Sequence, residues 1–261
     1  MLTACFPAKP GPTADKAMVP VKNLEIPKAE PPPPPTPTNP PRVEVREISG
    51  ILFEGVGFDS RSHRLVVADQ PNGPGSRYLD SASAGRSFGG IAAINAGFFT
   101  PEGAPLGLVV SSGRISGSWN SASSLGSGIW HESPAGAMGI SRREKTGRSG
   151  ASAMRELIQA GPLLVENSRA VGGLDPTKSS VRTLIWWDGR SGWWIGRSSP
   201  CTLAALGQAL ASGWQGVETA LNLDGGRSSD LWVSELVSGG PLTRRSPWNR
   251  PVRNFLILAP R

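Results

Sequence analysis

Arg182-Thr183-Leu184-Ile185-Trp186-Trp187-Asp188-Gly189-Arg190-Ser191-Gly192-Trp193-Trp194-Ile195-Gly196 reads as two apolar strands joined by a polar, glycine-bearing loop. Asp188 to Gly192 carry the turn chemistry a hairpin needs. Trp186-Trp187 and Trp193-Trp194 then fall on opposite sides of that turn, so four tryptophans face one another or a core. A hairpin here means antiparallel pairing, and it sets the expectation for the rest of the chain.

Short apolar runs bounded by Gly, Ser, Asn and Pro recur on both sides of it. They cover residues 64–68, 91–95, 106–110, 136–140 and 162–165 before the hairpin, and 217–224, 230–233 and 254–259 after it. Such runs at close spacing are strand signals. The clearest helix is 200–211, with Ser199 as N-cap, Pro200 at the first helical position, Gly213 past the end, and Leu203, Leu206 and Leu210 as its apolar stripe. Shorter helices are expected over 79–86 and 153–159. The fold class that follows is α+β, a mostly antiparallel or mixed sheet with a few helices packed against it. No internal repeat is visible.

The first 42 residues differ in kind. Thirteen of the 25 prolines lie there, including the run Pro31 to Pro35. A stretch without helical or strand period cannot bury enough apolar surface to offset its ordering entropy, so 1–42 is expected to be a disordered, extended linker. Residues 43–261 then form one domain. Leu2-Thr3-Ala4-Cys5 resembles the lipobox of bacterial lipoproteins, in which the cysteine is lipidated once the signal peptide is removed. A complete signal needs a charged start and an apolar run, whereas only Met1 precedes Leu2. The expectation is an extracytoplasmic domain, secreted or lipid-anchored at Cys5 with its true start upstream or trimmed. Cys201, the other cysteine, is expected to be a buried thiol near a helix start. No stretch approaches the roughly 18 apolar residues of a membrane span.

The net charge of +7 raises the question of nucleic acid. Only Lys145 and Lys178 of the six lysines fall within 43–261, and the arginines there are scattered apart from short pairs, with no basic stripe. That distribution argues against nucleic acid. Arginine's planar fork matches phosphate bidentately, so an anionic small substrate or glycan is the expected partner.

Taken as a strand, 217–224 places Val217, Thr219, Leu221 and Leu223 on one face and Glu218, Ala220, Asn222 and Asp224 on the other. Gly225 and Gly226 follow, permitting positive φ and close backbone approach. Ser228 and Ser229 add hydroxyls. A carboxylate and an amide beside bare backbone N–H groups suit a polar ligand. Asp-Gly is equally ordinary turn chemistry, and local chemistry alone favours the turn. Asn95 closes an apolar strand, where a buried amide must find partners. Phe98 and Phe99 read as core. Gly161-Pro162 reads as a bend feeding a strand, Arg182 sits at the edge of an apolar run, and Arg250 to Asn254 lead into the last strand.

In this order and spacing, these segments resemble the phosphodiester glycosidase family. Asn95 to Phe99 resembles its Asn-Gly-Gly-Phe-Phe motif, with Ala96 for the first Gly. Gly161-Pro162 and Arg182-Thr183 fit its middle motifs. Leu223 to Ser229 resembles Leu-Asp-Gly-Gly-Gly-Ser-Ser, with Arg227 for the third Gly, and Arg250 to Asn254 resembles its closing Arg-Pro-Val and Asn. Arg227 would either occlude the site or add a phosphate-binding cation.

The resemblance implies hydrolysis of the bond between a sugar's anomeric carbon and a phosphodiester oxygen. Asp224 is then the general base or stabilising carboxylate. Arg182 and Arg250 bind phosphate, Asn95 and Asn222 orient sugar hydroxyls, Gly225, Gly226 and Ser228 approach the ligand, and Asn254 completes the substrate site. Glu218 is a second carboxylate better suited to structure. His63 and His131 lack metal-ligand spacing, and Ser228 and Ser229 lack a His-Asp partner for a serine triad. No cofactor is demanded, though a divalent cation on Asp224 stays open. The competing reading is a non-catalytic envelope module that binds an anionic or sugar polymer. The site assignment as a whole requires Asp224, Arg182 and Asn95 to converge on one pocket.

Overall fold

The computed structural model describes Met1 and residues 39–261, so the expected linker and Cys5 lie almost wholly outside the described residues. In chain order the strands are β1 (Arg42–Ile48), β2 (Ile51–Asp59), β3 (His63–Asp69), β4 (Ala92–Asn95), β5 (Val109–Ser111), β6 (Arg114–Ser116), β7 (Gly128–Glu132), β8 (Met138–Arg142) and β9 (Glu156–Ala160). They continue as β10 (Leu163–Glu166), β11 (Arg169–Ala170), β12 (Ser180–Trp187), β13 (Gly192–Cys201), β14 (Thr219–Asn222), β15 (Asp230–Val233), β16 (Leu242–Arg245) and β17 (Asn254–Pro260). Three helices accompany them: α1 (Ser81–Ser87), α2 (Arg143–Ser152) and α3 (Leu203–Gly213).

All strand pairings in the sheets are antiparallel, which gives the α+β class. Seven strands order as β1-β2-β13-β12-β14-β10-β11, five as β16-β15-β4-β17-β3, and five as β6-β5-β9-β7-β8. The inner faces of all three sheets share one core, with Ile185, Trp193 and Leu221 from the first, Ile94 and Leu256 from the second, and Trp130 and Ile158 from the third. Each outer face is covered in turn. Phe53, Leu184, Trp186, Trp194 and Ala220 pack with Leu206 and Leu210 of α3. Ala84 of α1 lies over Ala93, Trp232 and Phe255, and Ala151 of α2 over Val110, Ile129 and Leu157. Alternation with a period of two therefore sends successive residues into two apolar layers.

The tryptophan hairpin is β12–β13, with Trp187 opposite Trp193 and Trp186 opposite Trp194. Trp187 and Trp193 stack on the inner face at 5.5 Å, while Trp186 and Trp194 meet Trp214 edge-on at 5.3 and 5.2 Å on the outer one. Three sequence expectations are corrected. Residues 153–159 are not a helix, because Glu156–Ala160 is the central strand of its sheet, buried along its whole length between β5 and β7. Tertiary burial overrides the helix-forming residues there. The third helix begins at Leu203, capped by Thr202 accepting from Ala205 N–H, because β13 keeps its pairing through Pro200 to Cys201, which lies opposite Ser180. Ser199 instead accepts from Leu52 N–H. The strand over 217–224 is only Thr219–Asn222, so Val217 packs with α3 rather than beside Leu221. Cys201 is a buried free thiol, as expected.

The central strand β9 carries an unusual load. Glu156 sits directly across from Glu132 of β7, and both are buried. Its carboxylate accepts from Val67 N–H of β3 at 3.0 Å and from Ser112 N–H at 3.1 Å, joining two sheets. Burial, reinforced by the Glu132 charge, outweighs those donors and pushes the Glu156 carboxyl up to about 7. A carboxyl raised in the folded state binds its proton more tightly there than in the unfolded chain, so folding stability should fall as pH rises from the ordinary glutamate range through about 7. Urea unfolding between pH 4.5 and 8 checks this: Glu156→Gln should flatten that decline, whatever it does to absolute stability.

Candidate functional site

The site forms where β14 ends. Asn222 pairs opposite Leu184 of β12, and the chain then crosses from the first sheet to the second. Leu223 N–H bonds to the Thr183 carbonyl at 2.8 Å, and Asp224 N–H to the Ala96 carbonyl, just past β4, at 2.9 Å. Gly225 and Gly226 are required by this crossing. A Cβ on Gly225 would stand 2.7 Å from the Val181 carbonyl of β12, and Gly226 has φ +60. Glycine alone meets both demands without strain. Residues 226–228 then form one 3-10 turn leading into β15.

Asn95 holds this crossing together from beneath. Its side chain is fully buried. Nδ2 donates to the Asp224 carbonyl at 2.6 Å, while Oδ1 accepts from Asp230 N–H at 3.0 Å and from the Thr183 hydroxyl at 2.9 Å. Thr183 also shares a hydrogen bond with Ser229 at 3.0 Å. Asn254, buried too, accepts from Gly97 N–H at 2.7 Å and fixes the turn after Asn95.

Above this base lies a cavity of about 380 Å³, lined by Asp224, Gly225, Gly226, Asn222 and Arg182, with Phe98 and Pro162 among its apolar walls. Burial raises the Asp224 carboxyl to about 6, against the lowering effect of the Ser228 hydroxyl and Gly225 N–H. Arg182 donates through Nε to the Cys201 carbonyl at 3.1 Å and through Nη2 to the Lys178 carbonyl at 2.5 Å, leaving Nη1 without a hydrogen-bond partner among the described residues. Asn222 donates to the Gly161 carbonyl at 2.9 Å, across the cis Gly161-Pro162 bend, and its buried Oδ1 has no partner among the described residues. The cavity wall therefore offers a carboxyl raised to about 6 and a guanidinium edge free of hydrogen bonds among the described residues, with an unpartnered amide oxygen buried just behind it. A larger cleft of about 460 Å³ lies by the tryptophan hairpin, but its buried carboxylate, Asp59, is held low by Arg61.

Asp224 and Arg182 line one cavity, but the expected convergence does not extend to Asn95: it is buried behind Asp224 with both ends of its amide used on the protein, so it supports the Asp224 backbone and is not placed to orient a sugar hydroxyl. Asn222, Gly225 and Gly226 line the cavity and Ser228 reaches it through Asp224. Asn254 lies beneath, in the support of Asn95. Arg250 is exposed and is not among the lining residues; its backbone N–H bonds to the Arg227 carbonyl at 3.3 Å. Arg253 is a structural ion pair with Asp69 at 2.9 Å. Glu218 accepts from Ser168 at 2.6 Å, away from the cavity. Phe98 belongs to the cavity wall rather than wholly to the core. Sequence reading missed Asp175 and Lys178, which also line the cavity. Asp175 accepts from Thr177 N–H and Oγ1 and from Lys178 N–H, which hold its carboxyl below the ordinary range. Their only sequence signal was an Asp-Pro turn beginning seven residues before Arg182.

A β-rich α+β domain whose sheet ends enclose a carboxyl-bearing polar cavity is the class that fold and site define together. The family model for phosphodiester glycosidases matches residues 88–259, and the chain belongs to that family. No curated protein sequence matches significantly. Among solved structures it is similar to the zebrafish N-acetylglucosamine-1-phosphodiester alpha-N-acetylglucosaminidase catalytic domain, auto-inhibited by its pro-peptide, at 17% identity and TM-score 0.57, over 86% of this chain and 83% of that one. A hypothetical protein from Synechocystis aligns at 19% identity and TM-score 0.56, over 84% and 61%. A candidate exported protein of Burkholderia pseudomallei K96243 aligns at 15% and 0.51, over 80% and 74%.

Removing the Asn95 side chain should strand the Asp224 carbonyl and the Asp230 N–H at once, while the Thr183 hydroxyl keeps Ser229 as a partner. Each unsatisfied buried group costs about 1–3 kcal/mol. Thermal unfolding of Asn95→Ala should show a loss of at least about 2 kcal/mol, well beyond that of Arg250→Ala, whose exposed side chain supports nothing.

Proposed function

We propose that the domain hydrolyses a sugar-1-phosphodiester at the bond between the anomeric carbon and the phosphate oxygen. The observation that carries this is Asp224, a half-buried carboxyl raised by desolvation to about 6 on the wall of a cavity that also presents Arg182, in a chain of the phosphodiester glycosidase family. The departing phosphate needs little protonation. What remains is to stabilise an oxocarbenium-like centre, place a water and neutralise phosphate charge. Asp224, once ionised, is the general base or the stabilising carboxylate. Arg182 binds the phosphate through its open guanidinium edge by charge-assisted hydrogen bonds. Asn222 orients a sugar hydroxyl through its free Oδ1. Asn95 acts as a positioning residue, fixing the Asp224 backbone.

An extracytoplasmic setting, with glycans of the cell envelope as substrates and a lipid anchor at Cys5, fits the Leu2-Thr3-Ala4-Cys5 sequence. Among the described residues no helix is long and apolar enough to cross a membrane.

The test is turnover of a panel of sugar-1-phosphate methyl diesters, with release of free sugar as readout. Because Asp224 must be ionised to act, kcat/KM should rise with pH through about 6. Asp224→Asn should remove that limb and lower the rate by about 10²–10⁴. Absence of sugar release across the panel, with polysaccharide still bound, would instead establish a non-catalytic binding module.

A further inference from the structure

Eight of the nine tryptophans are buried or half-buried, and Trp248 is the exception at 76% exposed. Its position is fixed. Trp248 N–H bonds to the Ser246 hydroxyl at 3.3 Å and Asn249 N–H to the Ser246 carbonyl at 3.0 Å, closing a tight turn. That turn is tied to the segment that follows Asp224: Asn249 Nδ2 donates to the Ser229 carbonyl, and Arg227 Nε donates to the Trp248 carbonyl at 3.3 Å. Arg227 directly follows Gly226, which lines the cavity, and its own side chain is exposed. Neither Arg227 nor the neighbouring Arg250 makes an ion pair among the described residues, whereas Arg244 and Arg245 are both engaged by carboxylates. An apolar ring and cations without ion pairs among the described residues therefore stand on two hydrogen-bonded segments, one of which runs on from the cavity wall at Gly226.

We infer that Trp248 and Arg227 form an extension subsite for the next unit of a phosphodiester-linked glycan, with the indole against a sugar ring and the guanidinium on a second phosphate. The inference rests on the proposed hydrolase reading for the first phosphate and adds a substrate class, a polymer rather than a small diester. An exposed indole presents a flat apolar face with one polar edge, which matches a sugar ring carrying hydroxyls at its rim. Arginine binds phosphate with a geometry that lysine does not supply. Single-stranded nucleic acid also offers rings and phosphates, but the adjoining cavity, lined by the carboxyls of Asp175 and Asp224, is suited to hydroxyls rather than to a polyanion's bases.

Trp248→Ala and Arg227→Ala, both at exposed positions, are compared with wild type on a sugar-1-phosphate methyl diester and on a purified poly(glycosyl phosphate) capsule polysaccharide. The expected result is a loss of about ten-fold in kcat/KM on the polymer, with the methyl diester changed less than about two-fold. Equal losses on both substrates, or none on the polymer, overturn the inference while leaving the hydrolase reading intact. Binding is measured separately on Asp224→Asn by affinity electrophoresis against the same polysaccharide, neutral dextran and oligothymidylate. Retardation by the polysaccharide alone, abolished by Trp248→Ala, supports the subsite even if no diester is ever cleaved. Equal retardation by oligothymidylate overturns it.

Discussion

The buried amide of Asn95 is the constraint on which the site depends. Three sheets that share one core cannot all run their strands to the same end, so the chain has to cross between them, and a crossing leaves backbone groups without ladder partners. One side chain absorbs much of that debt. Asn95 gives its donor to the Asp224 carbonyl and its acceptor to Asp230 N–H and the Thr183 hydroxyl, thereby joining β4, β12 and both ends of the 224–230 loop. Aspartate could not donate and leucine could do neither. The amide is thus chosen by the geometry of the crossing, and the position of Asp224 follows from it.

The same crossing sets the chemistry. Asp224 leaves the sheet beside a wall made by Asn222, Pro162 and Phe98, so its carboxyl is withdrawn from water but faces a cavity. Desolvation raises its pKa, whereas the Ser228 hydroxyl and Gly225 N–H pull it back, and the balance rests at about 6. Asp175, on the same wall, half-buried and bound by three donors, has its carboxyl held below the ordinary range. Two carboxyls on one cavity, one raised by burial and the other lowered by its hydrogen-bond donors, is the pattern that assigns different roles to chemically identical groups.

Much of the fold was legible because it is written in short, two-fold periods. The run 230–233 appears in the structure as read, the tryptophan hairpin with its outer ends extended to Ser180 and Cys201, and the strands at 64–68, 91–95 and 254–259 with ends moved by one residue. Strands β1 and β2 escaped because their inward and outward residues alternate with charges and glycines, as in Glu54, Gly55 and Gly57. Residues 153–159 misled because Glu, Leu, Gln and Ala favour helices locally, and only the presence of β5 and β7 on either side makes a strand of them. The site was legible as an ordered set of motifs rather than as local chemistry. Asn95, Arg182 and Asp224 were separated from turn and ion-pair residues only by their joint order. Asp175 and Lys178 come from a turn whose sequence says nothing about the cavity it borders, and Arg250 carries a motif without facing the cavity.

The two departures from the family's motifs fall where the structure can bear a side chain. Ala96 replaces a glycine, yet it is buried in the shared core, and only its backbone serves the crossing, accepting from Asp224 N–H and donating to the Asn254 carbonyl. A methyl group there adds apolar contact and leaves both hydrogen bonds intact. Arg227 replaces another glycine, but the positive φ of this loop belongs to Gly226 and the close approach to Gly225, so position 227 is under neither demand. Its side chain turns outward to the Trp248 carbonyl. The loop therefore keeps the two glycines that its path requires and converts the one it does not require into a cation on the rim of the site.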